Sequence, residues 1–309
     1  MRDDQALLDS MITAACEAGV NSLGVLEGTF RVDRKSDRSP VTRADTEADT
    51  IINRKLSSFG LPLVSEESPL PEHSRRMSWY RYLLIDPLDG TRGFVRGGRE
   101  FAVNIALMQA HTPILGVIAL PISGTVYFGG PQVSTCRLDE GFASILSDPH
   151  SVSHRARPAG FTARAGLNTR GRSQNSMAKS MENGRNNPIR VIASRHSLDE
   201  STGTWIHQLE ANRSVGTGGI ETMQAGSAAK FCMLADNEAD VYPRFAPCME
   251  WDTAAGVALV RGAGGEVYDA HSGLPLSYGD ADWYSRPFIA LSKSGVDRGI
   301  PTTSTAAER

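Results

Sequence analysis

The 309-residue chain is poor in several things, and each shortage excludes a class of protein. It has no apolar run near the roughly 18 residues that a membrane-spanning helix needs. It opens with "MRDDQALLDSM", an acidic stretch with no apolar core of the kind a secretory signal carries. Its four cysteines, Cys16, Cys136, Cys232 and Cys248, are scattered and form none of the close pairs of a zinc site. A reduced, cytoplasmic setting is therefore expected. Positive charge is not in excess: 32 Lys and Arg face 35 Asp and Glu, for a formal net charge of -3. That balance gives no support to binding a nucleic-acid polymer. Internal repeats are lacking too. Oligomeric state, and peripheral attachment to the cytoplasmic face of the inner membrane, are left open.

What is present is an ordinary globular composition, 40% hydrophobic and 22% charged, in a chain long enough for one large domain or two joined ones. Apolar residues at three-to-four spacing predict helices over residues 5–30 and 44–59. Between them lies the polar connector "RKSDRSPVTRAD". Strands are expected at Leu61–Val64 and Tyr82–Ile85, the second stopping at Pro87, which has no N–H to give a sheet. "FAVNIALMQ" and "PILGVIALPISGTVYFGG" read as a meander. From Ser151 to Arg190 the composition changes to 8 Lys or Arg against one acid, Glu182, with many Ser, Asn and Gly. A solvated basic insertion is expected there, or an anion-attracting flap. A strand in "IRVIASRHS" follows, then a polar helix through Leu209. "AAKFCMLADNEADVYPRF" reads as helix, turn and strand, and a last long helix starts near Asp252. Helices and strands interleave without the regular repeat of a parallel βαβ array, which points to an α+β fold. A division near residue 190 is expected. Residues 1–190 would carry most of the candidate ligands and the basic insertion at about 151–190. Residues 191–309 would supply a substrate wall and the last carboxylate.

The candidate chemistry is acidic. Asp45, the pair Glu66 and Glu67, Asp86 with Asp89, and Asp252 fall at expected strand ends or helix starts, where side chains can converge on a sheet edge. Gathered carboxylates repel one another unless a cation neutralises them. Oxygen ligands without His or Cys suit Mg²⁺. Several can hold two ions, the arrangement that clamps both oxygens in phosphoryl transfer. Taken singly, each acid has a plainer role: a turn or cap for Asp86 and Asp89, solvated acids for Glu66 and Glu67, a helix N-cap for Asp252. Gly90 and Thr91 follow directly, as a turn whose N–H groups can receive a phosphate oxygen and a hydroxyl suited to orienting water.

With those residues in view, the chain resembles the lithium-sensitive, magnesium-dependent inositol monophosphatase-like superfamily. "LVSEES", "LIDPLDGTRGF" and "WDTAAG" look like its three motifs, and "SPVTRAD" like its upstream active-site segment. "AAKFC" and "DVYPRF" are similar to the branch of 3'(2'),5'-bisphosphate nucleotidases.

The resemblance implies a layered α-β-α-β-α sandwich of the inositol monophosphatase and sugar phosphatase type. It implies two or three Mg²⁺ ions held by Glu66, Asp86, Asp89, Asp252 and the carbonyl of Leu88, with inhibition by Li⁺. Asp45, Glu66 and Thr91 would serve the attacking water. Gly90, Thr91, Ser227, Lys230, Arg244 and Asp252 would meet a small phosphorylated nucleotide. On their own, Lys230 and Arg244 read as well as surface cations. Two positions depart from the pattern: Gly93 stands where a glutamate is usual, and Ala228 where a second small hydroxyl residue is common. The implied reaction is hydrolysis of the 3'-phosphate of adenosine 3',5'-bisphosphate. An inositol monophosphatase or a sugar bisphosphatase would share every metal ligand.

Overall fold

The computed structural model describes residues 2–28, 31–34, 40–148, 152, 156–159, 187–194, 199–211 and 218–303. Most of the basic insertion expected at 151–190, and the end of "VIASRHS", lie outside the described residues. The first helix spans Arg2–Glu27 rather than 5–30. Strands β1 (Val32–Arg34) and β2 (Pro40–Thr42) pair antiparallel. β2 runs directly into a helix at Arg43–Leu56, extended by a single 3₁₀ turn over Ser57–Phe59. That helix starts where it does because Thr42 caps it: the Thr42 hydroxyl accepts from Ala44 N, while the Asp45 carboxylate reaches back to Thr42 N at 2.7 Å.

Seven strands follow in one sheet, paired in chain order. They are β3 (Leu63–Ser65), β4 (Arg81–Asp89), β5 (Ala102–Gln109), β6 (Thr112–Leu120), β7 (Thr125–Gly130), β8 (Val133–Leu138) and β9 (Arg157–Pro158). Only β3 and β4 are parallel, and the rest is the expected meander. Alternation along the strands sorts the faces. Leu83, Ile85, Val103, Ile105 and Val117 pack under the helices Arg2–Glu27 and Arg43–Leu56. Tyr82, Leu84, Ala102, Ala106 and Ile118 face the opposite way, onto the helices Ala229–Ala235 and Glu250–Gly262. Gly116 lets the latter helix come close, since a Cβ there would lie 2.2 Å from Ala255 O.

The second sheet consists of β10 (Ile189–Ser194), β11 (Ile220–Ala225), β12 (Val241–Arg244), β14 (Glu266–Asp269) and β16 (Phe288–Leu291), in the order β11-β10-β12-β16-β14. A separate small pair joins β13 (Cys248–Met249) to β15 (Tyr284–Ser285). Ile192, Tyr242, Phe288 and Ala290 close the shared inner core. Ile189, Val191, Ile289 and Leu291 point outward to a third helical layer, Glu200–Ala211, through Trp205 and Leu209. The result is the five-layer α-β-α-β-α sandwich, with two sheets enclosing a middle layer of helix.

Candidate active site

β4 does not stop at Pro87. It continues to Asp89 through an irregularity in which Asp86 pairs with Asn104 and Asp89 with Ala102. Two residues, Pro87 and Leu88, thus stand opposite Val103 alone. A bulge is where a proline can sit within a sheet, because the inserted residue makes no ladder bond. The bulge also matters chemically. In an unbroken strand, residues three apart face opposite sides of a sheet. The extra residue turns Asp89 back to the side of Asp86, the inner face shared with Ala102 and Ala106. Leu88 meanwhile packs with Phe94 and Phe101, whose rings meet edge-to-face at 5.0 Å, and anchors the loop that follows.

The inner face carries the convergence. Oxygens of Glu66, Asp86 and Asp252 lie within 4.8 Å of one another. Glu66 is placed by its N–H, which donates to Ile85 O at 3.1 Å just beyond β3. Asp252 arrives from the first turn of the helix Glu250–Gly262, where its Oδ2 accepts from Met249 N at 3.0 Å. The helix begins at Glu250, two residues earlier than expected, which puts Asp252 inside the first turn rather than at the cap. Burial, followed by repulsion from Glu66, Asp89 and Asp252, holds the Asp86 carboxyl well above the usual range. Asp252 is pushed up to about 7 by burial, then by Asp89 and Glu66. Asp89 is raised mainly by burial, and Lys230, the Ala228 N–H and Arg244 pull against that rise. A cluster of hard oxygens that resists ionising together fits a divalent cation, which would relieve the repulsion.

Asp45 stands apart from this trio and is tied to Thr91. Its Oδ2 accepts from Thr42 N and Thr42 Oγ1, each at 2.7 Å, and its Oδ1 lies 2.9 Å from Thr91 Oγ1. The same threonine hydroxyl lies 3.0 Å from the Leu88 carbonyl, and its single proton serves one acceptor at a time. Gly90, just before Thr91, has φ +101°, and a Cβ on it would sit 2.9 Å from Glu100 O. No other residue type fits there without strain. Glu67 N donates to Ser65 Oγ at 3.3 Å, and Glu67 is not one of the three acids that converge among the described residues.

Beside the acids opens a cavity of about 360 Å³, lined among others by Asp89, Gly90, Ser227, Lys230, Arg244 and Asp252. Lys230 is not a surface cation: it is 5% exposed, donates to Ser227 O at 2.6 Å, and burial lowers its ammonium to about 8 despite Asp89. Ser227 adopts a left-handed backbone, φ 46°, at this tight turn. Arg244 is half-buried, with Tyr242 Oη and the Pro247 carbonyl each 3.3 Å away. Sequence reasoning missed Arg92 and Arg99, which line the same cavity, and the available signal was the run of arginines and glycines in "TRGFVRGGRE" directly after Gly90. It also missed Glu250, whose buried carboxylate pairs with the buried guanidinium of Arg76 and accepts from Gly279 N at 2.9 Å. That pair binds the start of the Asp252 helix to the segment before β4, with Arg76 stacked 3.8 Å from the Trp283 ring centroid.

Residues 5–297 match the model of the inositol monophosphatase family. The chain belongs to that family. It is 33% identical over 290 residues to the 3'(2'),5'-bisphosphate nucleotidase CysQ of Shigella flexneri, covering 93% of this chain and 99% of that protein. Its likeness to CysQ of Escherichia coli K12 has the same extent. Among solved structures, CysQ from Bacteroides thetaiotaomicron superposes with a TM-score of 0.73 at 32% identity, over 92% of this chain and 96% of that one. The inositol monophosphatase of Anabaena (Nostoc) sp. PCC 7120 shares the fold, with a TM-score of 0.63 at 21% identity over 96% and 94% of the two chains. Family and acidic cluster together make the chain a metal-dependent phosphomonoesterase acting on a small phosphorylated substrate. Among the described residues, no helix is long and apolar enough to cross a membrane.

Proposed function

We propose that the chain removes the 3'-phosphate of adenosine 3',5'-bisphosphate, giving AMP and inorganic phosphate. The observation that carries the reading is the meeting of Glu66, Asp86 and Asp252 beside a cavity whose walls hold Lys230 and Arg244. The nucleotidase choice within the family follows from the likeness to the CysQ proteins. Glu66, Asp86, Asp89, Asp252 and the Leu88 carbonyl would hold two or three Mg²⁺ ions, a set that Li⁺ would disturb. Bound there, the cations supply positive charge to the phosphoryl oxygens and acidify water.

The remaining roles belong to the chain. The Thr42 N–H and hydroxyl both donate to Asp45 Oδ2 and fix its side chain at the helix start, so that Oδ1 accepts the hydrogen bond from the Thr91 hydroxyl. The lone pairs of Thr91 are then turned outward to accept a hydrogen bond from the attacking water, aligning its oxygen on phosphorus. Glu66, half-buried in the acidic cluster, would accept the one proton that this water loses as it attacks. The new P–O bond forms as the bond to O3' breaks; the leaving alkoxide takes a proton from bulk water to become the ribose hydroxyl, and the proton on Glu66 returns to solvent. Gly90 and Thr91 approach the phosphate, while Ser227, Lys230 and Arg244 hold the nucleotide. All four cysteines are free thiols, as suits a reducing cytoplasm.

Phosphate release with Mg²⁺ from adenosine 3',5'-bisphosphate, beside inositol 1-phosphate and fructose 1,6-bisphosphate, tests the reading. A higher kcat/KM on the nucleotide is expected. Preference for the inositol or sugar ester would replace the substrate while leaving the chemistry in place.

A further inference from the structure

The loop after Thr91 carries three arginines that the reaction as described does not use, Arg92, Arg96 and Arg99, and two of them reach the cavity. Arg92 and Arg99 are both exposed, and both line the cavity that reaches Asp89, Lys230 and Asp252. Neither donates a side-chain hydrogen bond or forms an ion pair among the described residues. The third arginine of the cavity wall, Arg244, is the one assigned above to the nucleotide, and its Nη1 and Nη2 already lie 3.3 Å from Tyr242 Oη and the Pro247 carbonyl. Glu100, the acid next to Arg99, is directed across the cavity instead, so that a Cβ on Gly226 would meet its Oε2 at 2.6 Å.

The two arginines are presented on an ordered loop. Phe94 N donates to Gly90 O and Val95 N to Thr91 O, while Gly98 N closes back on Gly93 O at 2.9 Å. That last bond closes the loop between the two arginines, and both line the one cavity. A Cβ on Gly98 would lie 2.7 Å from Gly93 O, so the closure depends on glycine there. With Phe94 buried beneath, the loop is anchored from below. Two guanidinium forks at one cavity wall, with no ion-pair partner among the described residues, are a recognition element for a phosphate dianion.

We infer that Arg92 and Arg99 form a second anion subsite, which takes the non-reacting phosphate of a bisphosphorylated substrate while the carboxylate end of the cavity takes the phosphate to be hydrolysed. The inference rests on the proposed nucleotidase reading only for the identity of that substrate.

The test compares the full-length wild type with Arg92→Ala, Arg99→Ala and the double variant, on adenosine 3',5'-bisphosphate and on adenosine 3'-monophosphate. The ratio of kcat/KM for bisphosphate over monophosphate should fall about 10–100-fold in the double variant, mainly through KM, as loss of charge-assisted hydrogen bonds predicts. Replacing both by lysine should restore part of the ratio. An equal fall on both substrates would overturn the subsite and move the arginines to the reacting phosphate, and no fall on either would make them solvated cations. If the wild type hydrolyses neither nucleotide, the nucleotidase reading fails and calorimetric binding of the same two nucleotides decides the subsite. It stands if the double variant weakens the bisphosphate alone, and falls if affinities are unchanged or the wild type binds neither.

Discussion

Asp252→Asn removes one negative charge from the acidic cluster while keeping the side chain's size and an oxygen for the Met249 N–H. In the wild type, burial and the neighbouring Asp89 and Glu66 raise the Asp252 carboxyl from 3.8 to about 7. The folded metal-free chain therefore holds a proton there that the unfolded chain releases near pH 4. Its contribution to stability is present below the unfolded value and is lost as pH rises through about 7. At pH 8 the ionised carboxylate costs up to about 4 kcal/mol, at roughly 1.4 kcal/mol per pKa unit. Two outcomes follow. Without metal at pH 8, Asp252→Asn should melt no lower than wild type, and higher if the full penalty is relieved. With Mg²⁺ the order should invert, because the variant has lost a ligand. The same shift makes metal affinity pH-dependent, since a cation must displace the proton. Half the Asp252 side chains are ionised at pH 7 but only about one in a hundred at pH 5, so apparent Mg²⁺ affinity should fall about 50-fold from this group alone. Calorimetric Mg²⁺ titration between pH 5 and 8, with melting curves of both proteins, measures each quantity. A wild-type affinity flat across that range, or a metal-free variant clearly less stable at pH 8, would refute the reasoning.

Other perturbations probe the neighbouring parts. Thr91→Ala should lower kcat about 100-fold or more while Thr91→Ser keeps most activity, because only the hydroxyl joins Asp45 to the water; steady-state kinetics read this directly. Gly90→Ala should destabilise by about 1–3 kcal/mol in a urea titration, since φ +101° and the Glu100 carbonyl at 2.9 Å both oppose a Cβ. An unaltered midpoint would show that the turn can relax. Arg76→Ala should cost about 3–5 kcal/mol by leaving the buried Glu250 carboxylate unpaired. Arg76→Ala combined with Glu250→Gln should recover part of that loss, and equal instability of both would assign the cost to the lost packing on Trp283.

Much of the architecture was legible in the residues. The three-to-four periodicity of Leu7, Leu8, Met11 and Ile12 marked a helix whose apolar stripe is buried in the outer core. The alternation in "YLLI" became the two faces of β4. Boundaries slipped by two or three residues because helix ends are set by caps and by neighbours rather than by the stripe alone. The one substantive error lay at Pro87. A missing N–H ends a strand locally, but a bulge makes that N–H unnecessary, and only pairing with β5 reveals the bulge. Lys230 was equally readable as surface or site, because a lone lysine between Ala229 and Phe231 has the same local pattern in both cases. The enclosing layers bury it against Asp89.

The sequence by itself determined which groups were available and their chemical kind: hard oxygens at Glu66, Asp86, Asp89 and Asp252, a hydroxyl at Thr91, and the motifs that carry the family resemblance. Those are covalent facts and survive unfolding. Tertiary structure decided which of them meet. Glu66 and Asp86 come from adjoining strands and Asp252 from a helix more than 160 residues on, yet their oxygens gather within 4.8 Å. It likewise tied Asp45 to Thr91 and brought Arg92 and Arg99 to the wall of one cavity. The physical reason is that repulsion among carboxylates, the rise of their pKa values and the room for a ligand all depend on distance and burial, and these exist only once the two sheets close on the helices between them.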